Sequence, residues 1–230
     1  MKNKQLEKAT ILFVDIVDSI ELANYWDVDR YNDFINEFQF KMLSGIALWK
    51  HDIREIELSG DELVVFFVSK KNTTRDVIDA LDLATFLKIL WYTTNTNRKR
   101  IKEGKKILDL GVGISTGKVM LDNRPYKQSI KKLIDKRKTL EGFAISLAKR
   151  IENFSRQGKY SRIMLGHSSI TELSKVHHHY EFEYHGLQKL KGLAQEIPIF
   201  ELKSTYFEGA EGIAVRADLS WVTRILNSLK

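Results

Sequence analysis

The chain has 230 residues, 43% of them hydrophobic, and a formal net charge of +7. That length can bury one sizeable core and reads as one domain, while the absence of any cysteine excludes disulfides and thiolate metal sites. There is no run of about 18 apolar residues and no charged-then-apolar amino-terminal signal, so neither membrane insertion nor secretion is expected and a cytoplasmic setting is.

Taken in order, Ala9 to Val14 is a mostly apolar run suited to a strand covered on both faces, and it runs straight into Asp15. A carboxylate at the end of a buried strand costs several kcal/mol unless a cation neutralises it. Trp26 to Lys50 follows as a long helix, with Phe34, Phe38 and Met42 on its apolar stripe. Ile53 to Leu58 alternates like a half-buried strand, and Leu63 to Val68 reads as another. Between them Ser59-Gly60-Asp61 makes a tight hairpin turn, Gly60 supplying positive φ and Asp61 standing at the tip. Alone, each aspartate is equally an ordinary strand-end cap or turn residue; together they suggest a divalent-metal site.

Thr73 to Thr94 is a second long helix, with Ala80, Leu83, Ala84 and Leu87 facing a core. Ile107 to Met120 reads as a strand, Leu121 to Lys138 as a basic, turn-rich connector, and Leu140 to Phe154 as a helix. Ile163 to Leu165 is a short strand, and Tyr180 to Tyr184 with Glu196 to Leu202 close the sheet. The expected division is a catalytic domain over 1–203 and a carboxyl-terminal extension over 204–230, with a short amphipathic helix over 217–229.

The basic stretches at Arg98 to Lys102 and Lys127 to Lys138 lack the interleaved aromatics of a stacking platform, and no helix-turn-helix or zinc pattern occurs. Stable nucleic-acid binding is therefore not expected. The charge reads as solvated surface that also attracts a polyanion.

Four segments in one order resemble the catalytic domain of class III nucleotide cyclases: the strand ending Phe13-Val14-Asp15-Ile16, the Gly60-Asp61 hairpin, the helix Gly142 to Glu152, and the closing pair around Lys191-Gly192 and Ile197 to Glu201. The resemblance implies a ferredoxin-like α+β fold, a mainly antiparallel sheet flanked by helices. It implies that Asp15 and Asp61, with the Ile16 carbonyl, hold two Mg²⁺ or Mn²⁺ ions, and that the backbone of Val17, Asp18 and Ser19 meets phosphate oxygens. Arg150 matches the family arginine that acts on the transition state, Ser146 stands where the family has asparagine, and Lys191 matches the lysine that binds the terminal phosphates.

Glu57 and Thr139 fall at the two base-reading positions, which in the family are lysine with aspartate for adenine and glutamate with cysteine for guanine. An ionised glutamate accepts hydrogen bonds only, so adenine, which presents an unprotonated ring nitrogen there, is disfavoured, while guanine offers a ring N–H and an amino group, uracil a ring N–H and cytosine an amino group. The mixed pair and the missing asparagine look like the stand-alone bacterial pyrimidine cyclases of the Pycsar antiphage systems, which make cyclic UMP or CMP for a separate effector. UTP or CTP is thus the first expectation, a guanylyl or adenylyl cyclase the alternative, and a catalytically degenerate nucleotide-sensing module a further one. With one copy of each motif, activity calls for a head-to-tail homodimer with two composite sites.

Overall fold

The computed structural model describes residues 4–49, 51–68, 73–122, 139–208 and 214–218. The long apolar run becomes β1 (Lys4–Ile16), and the hairpin becomes β2 (Glu55–Ser59) and β3 (Glu62–Phe67). The later strands are β4 (Leu110–Asp122), β5 (Thr139–Glu141), β6 (Ile163–Gly166), β7 (Glu181–Gln188), β8 (Ile197–Glu208) and β9 (Ala214–Asp218). One sheet runs β2-β3-β1-β4-β6-β8-β7, with β5 added to β4 and β9 to β8. Every pairing is antiparallel except β4 with β6. This is the α+β architecture that the motifs imply.

The period-two alternation of β1 sends its two side-chain sets to opposite layers. Leu12, Val14 and Ile16 enter the larger core beside Phe34, Phe38 and Met42 of α2 (Val28–Leu48) and Leu83, Leu87 and Trp91 of α3 (Thr73–Tyr92). Ile11 and Phe13 face the other way and pack with Ala144 and Ala148 of α5 (Phe143–Phe154). Among the described residues α5 is the one long helix on that face. It lies very close because β4 turns glycines towards it: a Cβ on Gly113 would stand 2.2 Å from the Ala148 carbonyl oxygen, and one on Gly111 2.3 Å from Ser155 Oγ.

Several elements depart from the sequence expectations. The backbone after Asp15 does not stay a loop but forms α1 (Ser19–Tyr25) before α2 begins, with Asp27 capping Arg30 N–H at 2.8 Å. The expected helix from Leu140 starts only at Phe143, because Leu140 pairs with Leu121 in the β4–β5 ladder. Basic residues Arg98 to Lys102 sit in α4 (Asn95–Lys102), whose N-cap is Thr94, and α6 (His167–Leu173) was not foreseen. Strand β8 continues to Glu208, across the expected boundary at 203, and β9 pairs with it. Ala217 and Asp218 end β9 rather than open a helix; the rest of the expected helix, and the basic stretch Lys127 to Lys138, lie outside the described residues. No described helix is long and apolar enough to cross a membrane.

Candidate active site

Asp15 closes β1 opposite Glu62 of β3, which puts it one residue from the hairpin tip that carries Asp61. The tip is pinned from α2, where Gln39 Nε2 donates to the Gly60 carbonyl at 3.0 Å, and Gly60 takes φ 58°. Asp15 points to the α5 face, as its parity with Phe13 requires. There it meets the Lys149 ammonium at 3.2 Å and the Arg156 guanidinium at 3.9 Å. Lys149 also lies 2.6 Å from Glu62 and 3.0 Å from Glu152 Oε2.

Burial, reinforced by the Glu152 and Asp61 charges, pushes the Asp15 carboxyl up to about 7. Burial would lower Lys149, but Glu152, Asp15 and the hydrogen bond to Glu62 outweigh it and hold the ammonium above its ordinary range. Tyr31 of α2 is raised by burial and then by Asp61 and Asp15, so it lies within electrostatic reach of both aspartates.

Asp15 Oδ1 is buried with no hydrogen-bond partner, an arrangement that a cation satisfies. Carboxylate and carbonyl oxygens are the ligands that Mg²⁺ and Mn²⁺ take. No group of three or more His, Cys, Asp or Glu set to hold a metal occurs among the described residues. Asp15, with Asp61 close enough to raise its carboxyl, would therefore need non-protein oxygens, from triphosphate or water, to complete a coordination shell.

The backbone beyond Asp15 departs from expectation at one position. The Val17 N–H donates to the Asp109 carbonyl at 2.9 Å, so it does not face a phosphate. Asp18 turns the chain in the left-handed region (φ 61°, ψ 28°), and Ser19 begins α1 with its side chain buried. Asp109 is itself tethered: buried Lys88 donates to its carboxylate at 2.6 Å and to the Leu110 carbonyl at 2.6 Å, and Tyr92 donates to the same carboxylate at 2.6 Å. Burial lowers Lys88, with the Asp109 charge opposing. Helix α3 thus fixes the loop from which the backbone after Asp15 hangs.

A second cluster lies elsewhere on α5. Arg150 Nε donates to the Lys191 carbonyl at 2.6 Å and Nη1 to the Ser146 carbonyl at 2.9 Å. Lys191 and Gly192, the latter at φ 77°, form the turn between β7 and β8, where a Cβ on Gly192 would crowd Arg150 Nη2 at 3.3 Å. Ser146, Arg150 and Lys191 are thereby brought together, with Ser146 and Lys191 exposed. Arg150 is not among the groups around Asp15; Lys149, its neighbour on α5, and Arg156, in the 3-10 turn that follows α5, are.

Glu57 lies on the edge strand β2, paired with Val64 and on the Asp15 face, and lines a shallow pocket of about 170 Å³ with Glu55, Ser59 and Glu62. Thr139 opens β5, with its backbone opposite Asp122. The sequence reading missed Lys149, Glu152, Arg156, Glu62 and Asp109. The i, i+3 spacing of Lys149 and Glu152 on one helix was the available signal.

A family model described as the adenylate and guanylate cyclase catalytic domain matches residues 1–204. The chain belongs to that family. It is a class III nucleotidyl cyclase, a lyase. No curated protein matches it in sequence. Among solved structures it is similar to the adenylyl cyclase CyaB from P. aeruginosa, with 19% identity over 91% of this chain and 98% of that one and a TM-score of 0.67. It is also similar to the guanylyl cyclase Cya2, with 19% identity over 87% and 94% and a TM-score of 0.65. The guanylate cyclase domain of RhGC from Catenaria anguillulae, solved with GTP, shares 14% identity over 86% and 97% with a TM-score of 0.64. These likenesses bear on the fold; they include both purine specificities and select neither.

Proposed function

We propose that this cyclase converts a nucleoside triphosphate to a 3′,5′-cyclic mononucleotide and pyrophosphate in a head-to-tail homodimer with two composite sites. The observation that carries this reading is the division of the site residues. Asp15 and Asp61 form one group, while Arg150, Ser146 and Lys191 form another that does not contact it. A second protomer would supply the missing half.

Asp15, Asp61 and the Ile16 carbonyl would hold two divalent ions, Mg²⁺ or Mn²⁺, whose chemistry is to acidify the ribose 3′-hydroxyl and neutralise the leaving phosphates. The hydroxyl oxygen attacks the α-phosphorus in line, the bond to the bridging oxygen of pyrophosphate breaks, and the hydroxyl proton passes to solvent. Arg150, its plane locked by two carbonyls, would aim Nη2 at the charge developing on the phosphoryl oxygens. The exposed Lys191 would meet the leaving pyrophosphate as a point charge. Asp18 and Ser19 would offer backbone N–H groups to phosphate oxygens.

For the base, Glu57 accepts hydrogen bonds and Glu55 stands beside it in the same pocket. An ionised Glu57 favours a base that presents a ring N–H or amino donor to it and disfavours adenine, whose unprotonated ring nitrogen only accepts. The Glu57 and Thr139 pair, with Ser146 in place of asparagine, departs from both purine patterns, so UTP or CTP ranks first and GTP second. The cyclic product would then act through a separate effector, as in Pycsar-type antiphage defence, in the cytoplasm.

The test is a mass-spectrometric product assay with Mn²⁺ and each of ATP, GTP, CTP and UTP, with Asp61→Ala as control. Cyclic UMP or CMP, lost in the variant, is the expected result. Cyclic GMP or AMP would overturn the pyrimidine assignment, and no cyclic product from any triphosphate would leave a degenerate nucleotide sensor.

A further inference from the structure

The unassigned group nearest the metal-binding aspartates is Lys149. It does not fill space by chance: its ammonium is within 3.2 Å of Asp15, 2.6 Å of Glu62 and 3.0 Å of Glu152, and it sits 5.7 Å above the Phe13 ring. Glu152 is fully buried and has Arg156 as a further cationic partner at 3.3 Å. Lys149 therefore has two anchors that are not metal ligands, and it extends from them to the one carboxylate that is. An ammonium in contact with Asp15 and a divalent ion on the same carboxylate repel each other across a few ångströms of partly desolvated space.

We propose that Lys149 is a resident counter-ion of the metal site: it pairs with Asp15 in the metal-free protein, and it must swing back onto Glu62 and Glu152 when a divalent cation binds. The inference rests on the metal-binding reading of Asp15 given above. Lys149 is a positioning residue, not one that touches the reacting atoms. Its consequence is an exchange: metal entry and lysine release are one step, so the metal-free site stays intact while weakly held ions are kept off. Reciprocity follows, since what the metal takes from the lysine the lysine takes from the metal.

The experiment uses the full chain and no nucleotide. Mn²⁺ binding is measured by isothermal titration calorimetry for the wild type, Lys149→Met, Lys149→Gln, Arg156→Gln and Asp15→Asn, with thermal melts of each in EDTA and in saturating Mn²⁺. Lys149→Met should bind Mn²⁺ about tenfold more tightly, a coupling of ordinary size. Its melting midpoint should fall below the wild type by about 2–4 °C in EDTA, and that deficit should vanish in Mn²⁺. Lys149→Gln, one atom shorter than lysine, keeps polarity without charge and gives the same reading should the methionine variant fail to fold. Arg156→Gln removes an equal charge farther from Asp15 and measures the unspecific electrostatic gain; an equal gain from both sites overturns the proposal. So does an unchanged Mn²⁺ affinity in the Lys149 variants, or a stability loss that is the same with and without metal. If the folded wild type shows no Mn²⁺ binding that Asp15→Asn removes, the metal-site reading falls and takes this inference with it. Asp15-dependent binding that is indifferent to Lys149 overturns the inference alone.

Discussion

The two halves of the site are built on opposite electrostatic plans, although one helix serves both. Around Asp15 the charges pair with one another inside the protomer: Lys149 and Arg156 face Asp15, Glu62 and Glu152, with Glu152 buried, Asp15 mostly so, and the other three half-exposed. Around Arg150 the cations are turned outward, and their hydrogen bonds go to backbone carbonyls instead of carboxylates. A buried, desolvated carboxylate has a strong appetite for a cation, whereas an exposed guanidinium locked by neutral carbonyls keeps its full charge for an incoming polyanion. In the proposed function this contrast divides the labour: one half would hold metal and the other phosphate, and neither would complete the site alone.

The severest way to break this contrast is to remove a ligand. Asp61→Ala should lower cyclase turnover by about three orders of magnitude or more, with Mn²⁺ binding lost in the same protein. Arg150→Ala should lower kcat by about 10²–10³, the range for one preorganised donor to developing charge, and leave Mn²⁺ binding as in the wild type. If Arg150→Ala also abolished metal binding, the two halves would not be separable. Gly113→Ala strikes the helix they share: the new Cβ would meet the Ala148 carbonyl at 2.2 Å, so α5 must shift, at about 3 kcal/mol in denaturant melts. A loss below about 0.5 kcal/mol would show that α5 is not seated by the glycine face of β4.

The smallest effect sharpens the buried half. Because Asp15 is raised from 3.8 to about 7, the native chain keeps a proton there that the unfolded chain has released. The associated stability is complete below pH 3.8 and is lost as pH climbs to about 7. Metal-free protein should therefore weaken over that window, and Asp15→Asn should flatten the slope in melts taken in EDTA. Mn²⁺ affinity has the opposite sense, rising with pH up to about 7 as the proton stops competing, then levelling off.

The motifs made most of the framework legible, because strand alternation and turn chemistry are local. Asp15 at a strand end and Gly60-Asp61 between two strands forecast a carboxylate pair, and β1 and β3 bring them together in register. The helix start at Phe143 was not legible, since Leu140 has good helix propensity and is claimed by a strand partner nineteen positions earlier, Leu121. The same holds for the charges around Asp15. Lys149 and Glu152 have the spacing of any solvated helix turn, and only the close approach of α5, permitted by Gly111 and Gly113, buries Glu152 and brings Lys149 against the sheet. Val17 was assigned to phosphate because nothing in its neighbourhood names Asp109, whose carbonyl arrives from a distant loop held by Lys88 and Tyr92.

The central claim is that the carboxylate half and the cationic half of one working site come from different protomers, and mixing two inactive variants tests it directly. Asp61→Ala and Arg150→Ala are unfolded together, refolded as a mixture and assayed for cyclic nucleotide. Half of the dimers should then be mixed, each with one site built from two intact halves, so activity should return to about a quarter of the wild-type value. A mixture that stays as silent as its components, while both variants still dimerise, would mean that each protomer carries its own complete site and would contradict the account.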